Sequence, residues 1–268
     1  MKIGILALQG DVVEHVRAFE ALGESVVQVR SVPDLAGLDA LVLPGGESTT
    51  ISVLLDSSGL FHAISGLLAD GLPAFGTCAG MILLSRATIG GRADQRCLGA
   101  IDIVVRRNAF GRQVESFERD LRIEGMSPDW FRGVFIRAPV VEDVGDGVVV
   151  LAEVEMPLAR GRGERTGAVG SGGVIDRQAC KPVLCRQGSV MAAAFHPELA
   201  GDLRLHEMFL SVVSQPRPPT ASNSPCSSGI SRGSNVSRQR DRQDLPSSGA
   251  SAPGLSGFPE ARYSERQG

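Results

Sequence analysis

The chain has 268 residues, enough for one large domain or two small ones. Its 43% hydrophobic and 21% charged residues are typical of a globular protein, and a net charge of −3 with 4% aromatic residues argues against a nucleic-acid partner. We expect no signal peptide and no membrane span, because the first apolar run ends at Gln9-Gly10-Asp11 and no run approaches roughly 20 apolar residues. Five cysteines without metal-ligand or disulfide spacing predict a cytoplasmic protein with free thiols.

The first half of the chain alternates strands with helices. Short, fully apolar runs predict buried parallel strands, and apolar residues at helical spacing predict helices. In chain order these are strand Lys2–Leu8, helix Val12–Leu22, strands Ser25–Val29 and Ala40–Leu43, helices Ile51–Leu55 and Leu60–Asp70, strand Leu72–Phe75 and helix Met81–Ser85. Asp11 is expected to cap the first helix. The alternation predicts an α/β fold, a three-layer, doubly wound, mostly parallel sheet with helices on both faces.

The second half has shorter and more closely spaced strands, which predict a small antiparallel extension at one edge of the sheet. The predicted elements are strands Leu98–Val105, Val134–Pro139 and Val148–Val154, a hairpin of Val183–Gln187 and Val190–Phe195, and a last helix Leu203–Val213. Together they complete one domain over residues 1–215.

Two segments do not fit that domain. A loop insertion over about 156–181 is rich in Gly and Arg, and a Pro/Ser/Gly/Arg-rich tail over 216–268 is predicted to be disordered.

A cysteine lies on a Gly-bounded turn between a predicted strand and a predicted helix, in Gly76-Thr77-Cys78-Ala79-Gly80. This arrangement is typical of a nucleophile elbow. The positive end of the following helix would stabilise a negatively charged sulfur. The alternative is a structural cysteine on a packed turn, and this motif alone leaves both interpretations open.

A cysteine nucleophile needs a base, and the base needs an acceptor that orients it. Only four histidines are available. His15, His62 and His206 lie on predicted helices, where surface or packing roles are expected. His196 ends a strand and is followed by Pro197 and Glu198. In an extended segment, residues two apart project to the same side, so Glu198 can orient His196. A surface His and Glu remain the alternative.

The turn Gly45-Gly46-Glu47-Ser48 also follows a buried strand. Consecutive glycines leave backbone N–H groups exposed, and with the amide of Ala79 they could form an oxyanion hole. A Gly-rich turn chosen only for close packing is the alternative. A phosphate-binding loop is disfavoured, because no Gly-Lys-Ser/Thr follows.

Three motifs in this order resemble the class I (triad) glutamine amidotransferases: Pro-Gly-Gly-Glu-Ser-Thr-Thr from Pro44, Gly-Thr-Cys-Ala-Gly-Met from Gly76 and Phe-His-Pro-Glu-Leu from Phe195. Further motifs resemble the glutaminase-subunit family of pyridoxal 5′-phosphate synthase. They are Leu8–Asp11, Arg107–Gln113, Glu115–Glu118, Phe135–Pro139 and Arg186–Gly188. The resemblance covers about residues 1–155 and 182–213.

The resemblance implies that L-glutamine is hydrolysed to glutamate and ammonia through a glutamyl thioester on Cys78, with His196 as the base and Glu198 as its orienter. It implies an oxyanion hole at Gly46 and Ala79, a link between Gln9 and activation, and neither a cofactor nor a metal. It also implies contacts with glutamine from Gly46, Glu47, Ser48, Arg107, Ile136 and Arg137. A guanidinium suits the substrate's α-carboxylate, although surface solvation or a structural ion pair remains the alternative for Arg107 and Arg137.

The ammonia would pass to a (β/α)8-barrel synthase subunit in a hetero-oligomer that makes pyridoxal 5′-phosphate. Two other hypotheses stay open: a triad glutaminase that serves another synthase, and a non-catalytic assembly module. In the family, the strands near Val154 and Val183 are joined by a tight turn. The insertion at 156–181 replaces that turn, and we expect it to bulge outward and to leave the triad intact.

Overall fold

The computed structural model describes residues 1–92, 95–107, 116–155 and 180–215. Asn108–Glu115 of the resemblance motifs, residues 156–179 of the insertion, and the tail at 216–268 with Cys226 lie outside these residues, so the predictions about them are not tested. Among the described residues, no single helix is long and apolar enough to cross a membrane. The helices Ser48–Ser57 and Leu60–Ala69 have the required length and composition only as a pair, bent by 97° at the break between them.

A seven-stranded sheet forms the centre of the fold, in the order β10-β11-β12-β4-β3-β1-β2. Its strands are β1 (Lys2–Leu6), β2 (Ser25–Val29), β3 (Ala40–Leu43), β4 (Ala74–Thr77), β10 (Val149–Glu155), β11 (Cys180–Gln187) and β12 (Val190–Ala193). The neighbours from β2 to β12 pair in parallel, whereas β11 pairs antiparallel with both β12 and β10. The predicted mostly parallel sheet with an antiparallel extension is therefore confirmed.

In the described part of the chain, five helices cover both faces of this sheet: α1 (Val12–Ala21), α2 (Ser48–Ser57), α3 (Leu60–Ala69), α4 (Ala79–Leu84) and α5 (Arg204–Val213). The alternation of side chains along β4 separates the two faces. Phe75 packs against Phe209 of α5, and Thr77 bonds His15 of α1. Between them, Gly76 faces α4, since a Cβ there would lie 2.7 Å from Leu84. The doubly wound, three-layer arrangement follows from these contacts.

Two smaller sheets accompany the main one. The first contains β5 (Ser85–Ile89), β6 (Ile101–Arg106) and β9 (Val140–Val144), and the second is the antiparallel pair of β7 (Ser116–Arg122) and β8 (Trp130–Ile136). The sequence analysis missed β5, β7 and β9, and it extended α4 into Ser85. Ser85 is already extended, and the β-branched Thr88 and Ile89 that follow pair with β6.

Several boundaries near functional residues differ from the predicted ones. α2 begins at Ser48 rather than Ile51, and β12 ends at Ala193 rather than Phe195. β4 begins at Ala74 rather than Leu72, because Pro73 has no N–H to donate to the ladder. β4 also ends later than predicted, at Thr77 rather than Phe75. Gly76 and Thr77 therefore belong to the strand, and the turn is confined to Cys78. β11 begins at Cys180, so Cys180 and Lys181, which we assigned to the insertion, belong to the sheet.

Candidate active site

Cys78 joins β4 to α4 in a backbone conformation that side chains rarely adopt, with φ 49° and ψ −102°. Its N–H donates to the carbonyl of Ala193 on β12 at 2.8 Å, which holds the turn against the next strand. The glycines on either side allow the close approach of α4. A Cβ on Gly80 would lie 1.9 Å from the carbonyl oxygen of Leu43, and one on Gly76 would lie 2.5 Å from Gly80. The elbow geometry predicted for Cys78 is therefore present, with its strain concentrated at the nucleophile.

His196 follows β12, and its N–H donates to the carbonyl of Val134 at 2.8 Å. Its imidazole is buried, and Nδ1 lies 2.8 Å from Oε1 of Glu198. The predicted pairing of His196 with Glu198 is present, but the reason we gave for it is wrong. Pro197–Leu199 form a short 3-10 turn rather than an extended segment, and this turn directs the carboxylate back to the imidazole.

Cys78 and Asp11 flank the same imidazole. Oδ2 of Asp11 lies 3.3 Å from Nδ1, so two carboxylates face one ring nitrogen. Burial opposes a charge on the imidazole, but the contacts with Asp11, Cys78 and Glu198 outweigh burial and raise the pKa of His196 above its usual value. The hydrogen bond to His196 in turn lowers the pKa of Asp11. A protonated imidazole beside the sulfur is the arrangement that activates a cysteine nucleophile.

Asp11 lies at the N-cap position of α1, as predicted, but it does not cap the helix with its side chain. Its side chain makes no capping hydrogen bond and is directed instead towards His196. The closest ligand atoms of Asp11, His196 and Glu198 lie within 4.8 Å of one another, a spacing that a metal could bridge. The hydrogen bond from Nδ1 to Glu198 and the contact of Asp11 with the same nitrogen bring these three groups together.

The turn after β3 lies directly over this imidazole. A Cβ on Gly45 would be 2.4 Å from Cε1 of His196, so glycine is required there. The turn after β1 holds the Gly-rich turn from two sides: Asp11 N–H donates to the carbonyl of Gly45 at 3.2 Å, and Oε1 of Gln9 accepts from Glu47 N–H at 2.8 Å. Gln9 thus contacts the turn that carries the predicted oxyanion donor Gly46.

Two residues predicted to contact glutamine also bind each other. Glu47 caps α2 by accepting from the N–H groups of Thr49 and Thr50. Although burial acts in the opposite direction, these bonds lower the pKa of Glu47 to about 2. Arg107 lies 3.0 Å from Oε1 of Glu47 and also donates to Thr49 and Gln95. For Arg107, the structural ion pair that we left open is therefore present.

Two other predicted contacts have unused bonding capacity within the described residues. The hydroxyl of Ser48 is buried without a hydrogen-bond partner there. Arg137 has a positive φ of 45° at the end of β8, and its guanidinium makes no ion pair with any described residue. Its neighbour Ile136 places a carbonyl oxygen 3.9 Å from the Cys78 sulfur. These groups surround the nucleophile and remain able to bind a polar ligand.

A single pocket of about 340 Å³ brings the predicted residues together. Glu198 does not line it, because this carboxylate lies behind the imidazole with its side chain fully buried. The predicted residues that line the pocket are Gln9, Gly46, Glu47, Ser48, Cys78, Ala79, Arg107, Ile136, Arg137 and His196.

Of the remaining histidines, His62 is exposed on α3, whereas His15 is fully buried beside Glu198. His15 was expected at the surface or in a local hydrogen bond, and the spacing of residues 15, 18 and 19 on the buried face of α1 could have revealed its burial.

A cysteine elbow, a buried imidazole–carboxylate pair and a doubly wound sheet define a thiol-dependent amidohydrolase of the class I glutamine amidotransferase kind. The chain belongs to the SNO glutamine amidotransferase family, whose model matches residues 5–215. It is 50% identical over 212 residues to the pyridoxal 5′-phosphate synthase subunit PdxT of Parafrankia sp. (strain EAN1pec), covering 79% of this chain and 93% of that relative. It is 51% identical over 211 residues to the PdxT subunit of Nocardia farcinica, covering 79% of this chain and 85% of the other.

Solved structures agree with this family. A crystal structure described as a glutamine amidotransferase shares 44% identity and a TM-score of 0.67, covering 80% of this chain and 99% of the other. A crystal structure of a GMP synthase component from Thermoplasma acidophilum shares only 16% identity with a TM-score of 0.50, covering 80% and 94%, and supports the fold alone.

Proposed function

We propose that this protein is the glutaminase subunit of pyridoxal 5′-phosphate synthase. It hydrolyses L-glutamine to L-glutamate and ammonia and supplies the ammonia to a synthase partner. The observation that carries this proposal is the convergence of Cys78 and His196 in one pocket, with Glu198 buried behind the imidazole. Family membership supplies the substrate, and the names of the relatives supply the partner.

The reaction begins with the Cys78 thiolate and the protonated imidazole of His196. The sulfur attacks the side-chain amide carbon of glutamine, and N–H groups of Gly46 and Ala79 stabilise the oxyanion. Because Nδ1 is held by Glu198, Nε2 gives its proton to the amide nitrogen as the C–N bond breaks, and ammonia leaves. A glutamyl thioester and a neutral imidazole remain.

Water completes the cycle. Nε2 of His196 takes a proton from the water as its oxygen attacks the thioester carbon, and collapse of this intermediate expels the Cys78 thiolate. Glutamate is released, and the protonated imidazole and the thiolate are restored. Glu198 stabilises the imidazolium whenever it forms.

The substrate is held by groups with unused bonding capacity. Arg137 binds the α-carboxylate of glutamine, and the backbone of Ile136 and the hydroxyl of Ser48 contact the substrate beside the nucleophile. Glu47 offers a carboxylate to the α-ammonium group. Arg107 fixes that carboxylate through their ion pair and so acts on the substrate through Glu47.

The partner is a (β/α)8-barrel synthase subunit in a hetero-oligomer. Direct transfer suits ammonia, which would otherwise be protonated in water and lose its nucleophilicity. Gln9 is linked to activation, because its side chain accepts from the N–H of Glu47, next to Gly46, and a partner at the pocket mouth could change that contact.

The complex operates in the cytoplasm. The four described cysteines are free, and a thiolate nucleophile persists in a reducing compartment.

The test compares two cysteine variants of the full chain, each mixed with the synthase partner. We expect Cys78→Ala to lower glutamate release by about four orders of magnitude. Cys97→Ala is the matched control, because burial raises the pKa of that thiol and it lies outside the pocket. Pyridoxal 5′-phosphate formation is measured with glutamine and, separately, with an ammonium salt.

Cys78→Ala should abolish formation of pyridoxal 5′-phosphate from glutamine but not from ammonium. Unchanged glutamine-dependent synthesis in Cys78→Ala would contradict the assignment of the nucleophile. Wild-type glutaminase activity without transfer to this synthase would instead favour a different acceptor.

A further inference from the structure

A buried series of polar side chains in contact with one another lies behind the triad. Oε1 of Glu198 bonds His196, while the buried Oε2 makes no hydrogen bond with any described residue. Nε2 of His15 lies 3.3 Å from that oxygen and 3.1 Å from the hydroxyl of Thr77, the residue before the nucleophile. Nδ1 of His15 lies 3.2 Å from Nε2 of His206 on α5.

This cluster lies in an apolar interior. His15 and His206 are both fully buried; the ring of His15 packs edge-on against Phe75, and that of His206 against Phe19 and Phe75. Burial lowers the pKa of both histidines, that of His206 to about 4, so both imidazoles are neutral at physiological pH. Burial also raises the pKa of Glu198. An ionised Glu198 therefore needs hydrogen-bond donors on both oxygens.

The positions of the protons on His15 and His206 follow from His206, the last residue of this hydrogen-bonded series. Nδ1 of His206 has no partner within the described residues. An unpaired acceptor there is less costly than an unpaired N–H, so His206 carries its proton on Nε2 and donates to Nδ1 of His15. Nδ1 of His15 is then an acceptor, and the proton of His15 lies on Nε2, which bonds the hydroxyl of Thr77 and lies 3.3 Å from Oε2 of Glu198.

We propose that His15 is a positioning residue of the triad, whose Nε2–H holds the second oxygen of Glu198 so that the first stays ionised and aligned on His196. The contact also ties α1 to the strand that carries Cys78 through Thr77. This inference rests on the proposed glutaminase reaction, since His15 acts only through Glu198.

The first test uses two amides that differ in where they place an NH₂ group. Gln at position 15 places it near Nε2, and Asn places it near Nδ1. His15→Asn should lower kcat about tenfold or more with little change in KM, as expected when an outer hydrogen bond is lost. His15→Gln should recover most of that loss. Assays use the full chain with its synthase partner.

The pH profile separates positioning from packing. Glu198 is faced by His15 on α1 and by His196, with Asp11 on the pocket side of the same imidazole. Thr77 on β4 and His206 on α5 each bond His15. Without the His15 donor, ionisation of Glu198 becomes harder, so the acid limb of kcat/KM should move to higher pH in His15→Asn. His206→Phe is the control. It removes the donor to Nδ1 of His15, but the Nε2–H tautomer then leaves only an unpaired acceptor, which costs less than an unpaired N–H. The proton should therefore stay on Nε2, and the acid limb should stay at the wild-type position.

The proposal is overturned if His15→Asn and His15→Gln have the same kcat, if the acid limb of His15→Asn does not move, or if His206→Phe moves it equally. A readout that needs no folded variant is the ¹⁵N spectrum of the histidine-labelled full chain, which contains four histidines. His15 should show the Nε2–H tautomer at neutral pH, and the Nδ1–H tautomer would contradict the proposal. This spectrum is independent of turnover, so it stands even if wild-type glutaminase activity is absent.

Discussion

At the imidazole of His196, two carboxylates share one ring nitrogen from different depths. Glu198 lies inside the protein at 2.8 Å, and Asp11 approaches from the pocket at 3.3 Å with its side chain 38% exposed. Glu198 is held in place by its buried surroundings, whereas Asp11 can exchange its contact with water. Glu198 therefore fixes the orientation of the imidazole, and Asp11 adjusts its pKa.

Replacing Asp11 should change the alkaline side of the pH profile. Asp11 contributes to the raised pKa of His196, so Asp11→Asn lowers that pKa towards the usual value of 6.5. The imidazolium, which protonates the departing ammonia, is then lost at lower pH. We expect the alkaline limb of kcat/KM to shift to lower pH while the KM near neutral pH changes little.

The control is Asp129→Asn, an exposed carboxylate paired with Arg122 at 3.1 Å and outside the pocket. It should leave the profile unchanged. An alkaline limb of Asp11→Asn that coincides with the wild-type limb would show that Asp11 does not act on His196.

Residues of the site differ in how far the sequence could predict them. The positions of Cys78 and Glu198 depend on local chain geometry. The Gly-bounded turn exposes the sulfur, and the His-Pro-Glu segment places the carboxylate beside the imidazole of the same segment. Asp11 and His15 have roles only through contacts with His196 and Glu198, which are distant along the chain. Local patterns carry no information about such contacts, so a cap and a surface histidine were the expectations.

At the scale of elements, the central parallel strands were predictable because they are short and mostly apolar runs, and in β3 every residue is apolar and buried. β5, β7 and β9 were missed because they belong to small separate sheets, and such a strand is specified largely by its partner. Glu47 belongs to this scale as well. Its carboxylate was predicted as a substrate contact, but in the structure it also begins α2 and anchors Arg107.

The ends of the segment 156–179 meet in the sheet, since Glu155 and Cys180 are direct partners in the β10–β11 pair. A two-residue Asn-Gly turn can join such partners. Replacing residues 156–179 by Asn-Gly should keep glutaminase turnover within about twofold and preserve the Tm, because each doubling of loop length costs only about 0.6 kcal/mol. β10 lies two strands away from β12, which leads to His196.

A longer excision provides the contrast. Removing residues 156–181 also deletes Cys180 and Lys181, shortens β11 and breaks the pair of Lys181 with Glu142 at 2.7 Å. This variant should have a lower Tm than the Asn-Gly variant. A collapse of turnover in the Asn-Gly variant itself would mean that the segment supports the active site.

For the whole molecule, the folding unit we propose is residues 1–215. The family model ends at residue 215, and α5 ends at Val213. About 212 residues of this chain cover 93% of a relative that is 50% identical. Helix α5 closes the core from one side of the sheet, with Leu205, His206 and Phe209 fully buried.

A chain ending at Gln215 should therefore fold and turn over glutamine like the full chain, with a Tm within about 2 °C, which corresponds to less than about 1 kcal/mol. The matched truncation ends at Leu203 and removes α5. It exposes Phe75 and leaves His15 without the donor from His206, so cooperative unfolding and activity should both be lost. The measurements are thermal unfolding and glutamate release with the synthase partner. Loss of activity in the chain that ends at Gln215, with the Tm unchanged, would assign the residues beyond 215 a role in catalysis or in the complex rather than in folding.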